Sequence, residues 1–212
     1  MRDLFADERI EGVVLALPNP LHRVASIEAM EAGRHVLVEK PIASFVNDAE
    51  AMIEARYRAG KILMVGYNQR FPGSVQGSLD LIRGGAIGNV LYGKTRWNRR
   101  DTGYEKRAAG RGAWQWKRSD AGGGPLMDLG IHKIDLTLHL MGFEPWTHLI
   151  GHRHDGMGRG VLEPLGLETD IEDFAAAMVR LDSGRALYVE SAYYLNMPEN
   201  EVNDVEIYGD AG

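Results

Sequence analysis

Gly33-Arg34-His35-Val36-Leu37-Val38-Glu39-Lys40-Pro41 decides how the first third of this chain is read. A glycine stops a helix, His35-Val36-Leu37-Val38 forms a strand with three apolar residues, and a charged pair before proline ends it. Upstream, Val13-Val14-Leu15-Ala16-Leu17 is a continuous apolar run stopped by Pro18-Asn19-Pro20. Such runs suit parallel strands buried on both faces. Val24, Ile27 and Met30, spaced by three, place a helix between the two strands. Downstream, Asn47 with Glu50 three later has the form of a capping box, which opens a helix to Ala59 that Gly60 ends. Ile62-Leu63-Met64-Val65-Gly66 then reads as a third strand. The order β-α-β-α-β implies right-handed crossovers and a parallel sheet. Ligands of such sheets sit at the carboxyl ends of the strands, and Asn19, Lys40 and Asn68 all fall just past strand ends.

After about Gln69 the pattern changes. Val75, Leu79 and Ile82 give a helical stripe ended by Gly84-Gly85, and Val90 to Trp97 reads as a strand. A loop rich in glycine and arginine runs to Gly124, and a helix carries Asp128 and His132. Thr147 to His154 reads as a strand, and Gly156 to Thr169 as a loop. Phe174–Leu181 and Ala186–Tyr194 flank Asp182-Ser183-Gly184-Arg185, a hairpin turn, and Val205–Tyr208 is a last strand. Hairpins after a βα array predict a second, α+β domain with a mostly antiparallel sheet. The expected division is 1–68 and 69–212.

The global numbers exclude some functions. Of the 212 residues, 44% are hydrophobic and 25% charged, ordinary values for a globular protein with a real core. The net charge of −6 argues against nucleic acid as the main partner. There is no cysteine, so thiol chemistry, disulfides and Cys-based zinc sites are excluded. No run of ~20 apolar residues marks a membrane span. The acidic opening Met1-Arg2-Asp3-Leu4-Phe5-Ala6-Asp7-Glu8 does not have the form of a signal peptide.

Three clusters could carry chemistry. Asp128, His132, Asp135 and His139 lie at i, i+4, i+7 and i+11, one ionisable stripe on an otherwise apolar helix. By spacing alone a solvated face is the simpler reading, and likewise Lys40 is a solvated lysine beside Glu39. Arg96, Arg99, Arg100, Lys106, Arg107, Arg111, Lys117 and Arg118 gather around Trp97, Trp114 and Trp116. That mixture suits a sugar or cofactor wall, a surface loop, or nucleic acid, the last disfavoured by the acidic charge. His148, His152 and His154 share parity on a strand and hence a face, where solvent exposure is the default and a metal site the alternative.

Five segments in order resemble the Gfo/Idh/MocA family of oxidoreductases. They are Ala16-Leu17-Pro18-Asn19-Pro20-Leu21-His22, the segment Gly33 to Pro41, Val65-Gly66-Tyr67-Asn68-Gln69-Arg70-Phe71, the run Gly122-Gly123-Gly124-Pro125-Leu126-Met127-Asp128-Leu129-Gly130-Ile131-His132 with its continuation to Asp135, and Val205-Glu206-Ile207-Tyr208-Gly209. The resemblance implies reversible hydride transfer between NAD or NADP and a sugar or cyclitol carbinol carbon. It implies an α/β fold, the back half of a doubly wound Rossmann sheet followed by a substrate and oligomerisation domain. Lys40, Asp128 and His132 become the catalytic residues. Lys40 would stabilise charge on a substrate oxygen, His132 would act as general base, and Asp128 would orient it or contact substrate. Pro18, Asn19, His22, Glu39, Lys40, Asn68 and Trp116 would face the cofactor. Lys40, Arg70, Asp128 and His132 would face the substrate. Asp135 would be structural or touch a substrate hydroxyl, and His139 structural. Lys117 stands where the family often has arginine, so it lacks that residue's planar fork. No metal is needed.

Family members begin with a glycine-rich turn that cradles the pyrophosphate, and nothing before Val13 can do this. The expectation is a chain shortened at both ends, binding NAD(P) weakly. A non-catalytic binding or oligomerisation module derived from the family is the alternative. A cytoplasmic homodimer or homotetramer is expected, joined through the sheet face of Phe174–Tyr194, with a small polyol or sugar as ligand and neither nucleic acid nor membrane as partner.

Overall fold

The computed structural model describes residues 1–101 and 113–212. The elements are α1 (Arg2–Ala6), β1 (Gly12–Leu15), α2 (His22–Glu31), β2 (His35–Val38), α3 (Val46–Ala59), β3 (Leu63–Val65), α4 (Gly73–Arg83), β4 (Val90–Arg99), α5 (Arg118–Ala121), α6 (Ile131–Met141), β5 (Trp146–His154), α7 (Arg159–Leu162), β6 (Phe174–Leu181), β7 (Ala186–Ala192) and β8 (Glu201–Gly209). They divide into two units. The first holds Met1–Gly66 with Lys117–Gly122, the second Tyr67–Trp116 with Gly123–Gly212.

In the first unit β1, β2 and β3 form a parallel sheet in that order, with Val13 beside Val36 and Val36 beside Leu63. The core collects Val13, Leu15, Val36 and Val38 from the strands, Ala25, Ala29 and Met30 from α2, and Met52 and Ala55 from α3. Burying a side chain such as Met30 or Met52 contributes roughly 1.5–3 kcal/mol.

Two expectations fail here. The apolar run Val13–Leu17 suggested burial on both faces, yet Val14 is 69% exposed. Successive crossovers of one hand in the order 1-2-3 set both helices on the same side of the sheet. Only alternate residues of β1 therefore meet a helix. The capping box at Asn47 does not form either. The N-cap falls two residues earlier, at Phe45, and the helix starts at Val46 with no side-chain cap. Its predicted end at Gly60 is correct, and the Gly60 N–H donates to the carbonyls of Arg56 and Tyr57.

In the second unit the strand order is β5-β6-β7-β4-β8. β4 pairs parallel with β7, and the other neighbours are antiparallel. The sheet is thus mostly antiparallel, as expected. α6 lies over one face, where Leu136 and Leu140 join Leu79 of α4 and Val205 and Ile207 of β8. A glycine permits this approach: a Cβ on Gly93 would come within 2.5 Å of Thr137 Cγ2. The opposite face carries Tyr92, Lys94 and Arg96 of β4, with Tyr188, Met178 and Ile150 from β7, β6 and β5. Among the described residues no helix is long and apolar enough to cross a membrane.

Candidate active site

The residues singled out in the sequence fall on both units, and each half is built differently. In the first unit they gather at the carboxyl ends of β1 and β2. Pro18 is exposed, and the Asn19 carboxamide donates to the carbonyl of Ala121 at 3.3 Å. Glu39 receives the backbone N–H of Lys40 at 3.2 Å, with its carboxylate also against Gly66. Lys40 is half-buried and precedes a cis peptide bond to Pro41. This rim is where parallel sheets take nucleotide ligands.

His22 does not belong to that rim's ligand-facing set. It is fully buried, with Nε2 2.9 Å from the Leu17 carbonyl and Nδ1 2.9 Å from the Pro41 carbonyl. The ring thus bridges the loops after β1 and β2, its one N–H donating to one of the two carbonyls. The side chain shapes the rim instead of reaching a cofactor.

In the second unit the triple glycine has a steric cause. A Cβ on Gly124 would stand 1.9 Å from the Glu172 carbonyl oxygen, while the Gly124 N–H donates to Glu172 Oε1 at 2.7 Å. The chain can pass the buried Glu172 only without a side chain at this point. Leu126–Gly130 then forms a single π turn leading straight into α6. Such turns are rare and concentrate at functional sites. Asp128 lies in the π turn and His132 at the start of α6.

The ionisable stripe is not a solvated face. Asp128 Oδ2 receives the Tyr193 hydroxyl at 2.7 Å. The His132 ring lies 5.7 Å from the Trp97 ring, and its Nδ1 is buried. The Lys133 ammonium stands 5.2 Å over the same indole. Burial pulls the Lys133 pKa down, against the opposing charges of Asp204 and Glu201. Trp97 is itself held by Glu201 Oε1, which receives its indole N–H at 2.5 Å. His139 lies against Phe143, ring to ring at 6.4 Å.

Arg70 is paired with Asp135. Its Nε donates to Asp135 Oδ2 at 2.7 Å and its Nη2 to Oδ1, a two-pronged pair one turn after His132. The guanidinium also lies 5.0 Å over the Phe143 ring and 5.6 Å over Tyr67. The Asp135 bond raises the Arg70 pKa. Burial, helped by the Asp135 charge, pushes Tyr67 up to about 12. Arg70 thus ties the turn Asn68–Arg70, in which Asn68 is exposed, to the helix of His132.

Trp116 is likewise a core residue, 2% exposed among Leu129, Leu162, Ile171 and Tyr193, which takes its indole face off any ligand wall. Of the basic cluster, Arg96 pairs with Asp204 and Arg99 with Glu201, both across to β8. They brace the sheet. Lys106, Arg107 and Arg111 lie outside the described residues. Among the three histidines of β5, His154 meets Asp173 at 3.0 Å, a carboxylate that also receives the N–H groups of Gly156 and Gly158. Sequence reasoning missed Tyr193. It sits 65 residues from Asp128, and no local pattern links them.

Comparison with known proteins covers both units. A family model for the NAD-binding Rossmann fold of an oxidoreductase family matches residues 1–67, and the GFO/IDH/MocA C-terminal domain matches 75–212. D-glucoside 3-dehydrogenase of Escherichia coli is 28% identical over 205 residues, covering 93% of this chain and 56% of that protein. Aldose-aldose oxidoreductase from Caulobacter crescentus, solved with glycerol, superposes with a TM-score of 0.81 at 31% identity, over 98% of this chain and 56% of that one. Levoglucosan dehydrogenase, solved with NADH and levoglucosan, gives 0.84 at 27% identity, over 99% and 55%. The chain spans about half the length of the curated relatives it matches. Two family models in sequence, one on the parallel sheet and one on the mixed sheet, account for the order of every segment described above: the chain belongs to the GFO/IDH/MocA family of oxidoreductases.

Proposed function

We propose that the protein containing this chain is an NAD(P)-dependent oxidoreductase acting on a sugar or cyclitol carbinol. The observation that carries this reading is the pair Asp128 and His132 at the junction of π turn and helix, with Asp128 held by Tyr193. The residues of the first unit fit a nicotinamide cofactor, because Asn19 and Lys40 stand at the carboxyl ends of two parallel strands. A nicotinamide cofactor held there would supply the acceptor for the hydride of the carbinol carbon. Lys40 donates a hydrogen bond to the substrate oxygen and stabilises its developing charge. His132 takes the hydroxyl proton at Nε2, its buried Nδ1 side being turned away. Asp128 orients the substrate through a neighbouring hydroxyl. The division of labour is a cofactor domain over 1–68 and a substrate domain over 69–212. A cytoplasmic place of action goes with use of the pyridine-nucleotide pool.

The test is oxidation of a panel of aldoses, cyclitols and their glycosides with NAD and NADP. His132→Ala is expected to lower turnover by roughly 10², the effect of losing a general base, and Lys40→Ala to lower it too. Normal polyol oxidation by both variants refutes the assigned roles.

The oligomer belongs to the same proposal. The open face of the second sheet exposes Ile150 at 69%, Met178 at 43% and Tyr188 at 43% around a groove of about 720 Å³. A second copy laid on this face buries them, and apolar burial contributes ~25 cal/mol per Å². Light scattering at low micromolar concentration is expected to give at least a dimer. A stable monomer refutes it.

A further inference from the structure

β7 is followed directly by two tyrosines, Tyr193 and Tyr194, that leave the strand geometry. In an extended strand, neighbouring side chains point to opposite faces. Tyr194 breaks that alternation, because its φ is +59°. This left-handed conformation is strained for a bulky residue, and such residues cluster at functional sites. The consequence is that both rings meet Trp116, Tyr193 edge-on at 6.3 Å and Tyr194 stacked at 6.5 Å. The kink is pinned on both sides. The Tyr193 N–H donates to the Asp173 carbonyl at 2.8 Å, and the Leu195 N–H to the Arg99 carbonyl at 3.0 Å. Just before it, the Ser191 hydroxyl lies 2.9 Å from the Pro125 carbonyl and 3.1 Å from that of Trp97, its single O–H shared between them, which ties β7 to the residue before the π turn and to the strand of Trp97.

The Tyr193 ring is 4% exposed in the cluster of Trp116, Leu129, Leu162 and Ile171. Packing therefore fixes where its hydroxyl points, and it points at Asp128 Oδ2, 2.7 Å away. A flexible surface tyrosine meeting a carboxylate would imply nothing. Here a strained backbone, a stacked neighbour and a closed cluster all over-determine one short bond to a residue of the candidate active site.

We infer that Tyr193 is a positioning residue that acts through Asp128. Its hydroxyl locks the carboxylate in one orientation, so that the substrate hydroxyl beside the reacting carbon is held in a single geometry. This rests on the oxidoreductase reading above. A residue of this kind changes turnover without reaching the substrate itself.

The experiment is a double-mutant cycle on the natural protein, with kcat and KM measured for the best polyol of the panel. Tyr193→Phe removes the hydroxyl and keeps the ring that fills the cluster. It is expected to lower kcat roughly tenfold, the size of one lost charge-assisted hydrogen bond, with KM within about twofold. In an Asp128→Ala background the same change is expected to have no further effect. In Asp128→Asn, which retains an acceptor, the dependence on Tyr193 returns. Equal losses in all three backgrounds overturn the inference, since Tyr193 would then act independently of Asp128. Unchanged kcat in Tyr193→Phe also overturns it. A parent protein that oxidises no polyol refutes the proposed function and this inference with it, whereas an active parent with additive variants refutes the inference alone.

Discussion

Removing either partner of the Arg70–Asp135 pair should destabilise the second unit, and by unequal amounts. The Asp135 side chain is 8% exposed and that of Arg70 is 31% exposed. Breaking a buried pair costs about 3–5 kcal/mol, most of it from the charge left behind without a partner. Arg70→Met leaves the carboxylate in the drier position, so it belongs in that range, at about 3–4 kcal/mol. Asp135→Ala leaves a guanidinium that reaches water and keeps the Phe143 and Tyr67 rings beneath it. Its cost should be lower, about 2 kcal/mol. The double variant Arg70→Met, Asp135→Leu strands no charge and should recover much of the loss. All four tryptophans, Trp97, Trp114, Trp116 and Trp146, lie in the second unit, so tryptophan fluorescence follows that unit alone. In urea, with a slope of about 2 kcal/mol per M, Arg70→Met should lower the midpoint by about 1.5–2 M and Asp135→Ala by about 1 M. Equal shifts, or a double variant as weak as the sum of the singles, would refute the argument.

Two further outcomes follow from buried polar groups. Tyr67 has its pKa raised from 10.0 to about 12, so its protonated form is favoured in the folded state. That contribution is complete below pH 10 and lost as pH rises from 10 to about 12; Tyr67→Phe should flatten the fall in stability across that window by about 2 kcal/mol relative to the parent, read as about 1 M of urea midpoint at a slope of about 2 kcal/mol per M. His22→Leu removes the imidazole that bridges the Leu17 and Pro41 carbonyls and leaves one of them without its donor, which should cost about 1–3 kcal/mol, read by far-ultraviolet circular dichroism during thermal unfolding. An unchanged melting curve would show that the imidazole bridge is dispensable.

The β-α-β-α-β order and the hairpin at Asp182–Arg185 were legible because local signals carry them: glycine stops, a turn sequence, apolar runs of strand length. Whether a face is covered is not a local property. Val14 sits in as apolar a context as Val13, and only the side on which α2 and α3 lie separates them. The capping box at Asn47 matched a pattern, but the backbone entered the helix at Val46 and left no use for it. Asp128 and His132 were singled out through motif resemblance, since their spacing alone favoured a solvated stripe. Arg70, His22 and Trp116 lie in the right segments, but their roles depend on partners far away in sequence or buried around them. Arg70 faces Asp135 across 65 residues, and Tyr193 reaches Asp128 over the same separation.

The parallel pairing of β4 with β7 has a kinetic consequence. Thr95 neighbours Val189 on one side and Val205 on the other, so β4, an interior strand of the second sheet, waits until both of its distant partners β7 and β8 have been made. Until then the helix of Asp128 and His132 has emerged with no completed surface to lie on. Contacts of such long range make folding slow. The hairpin of β6 and β7 can form by itself, and β5 can join it antiparallel, before β4 docks. Assembly of the second unit is therefore expected to close with β4 entering between β7 and β8, the event that finally brings Trp97 against His132. On a growing chain, the tryptophan environment should mature only after β8 is released, well after the first sheet has formed.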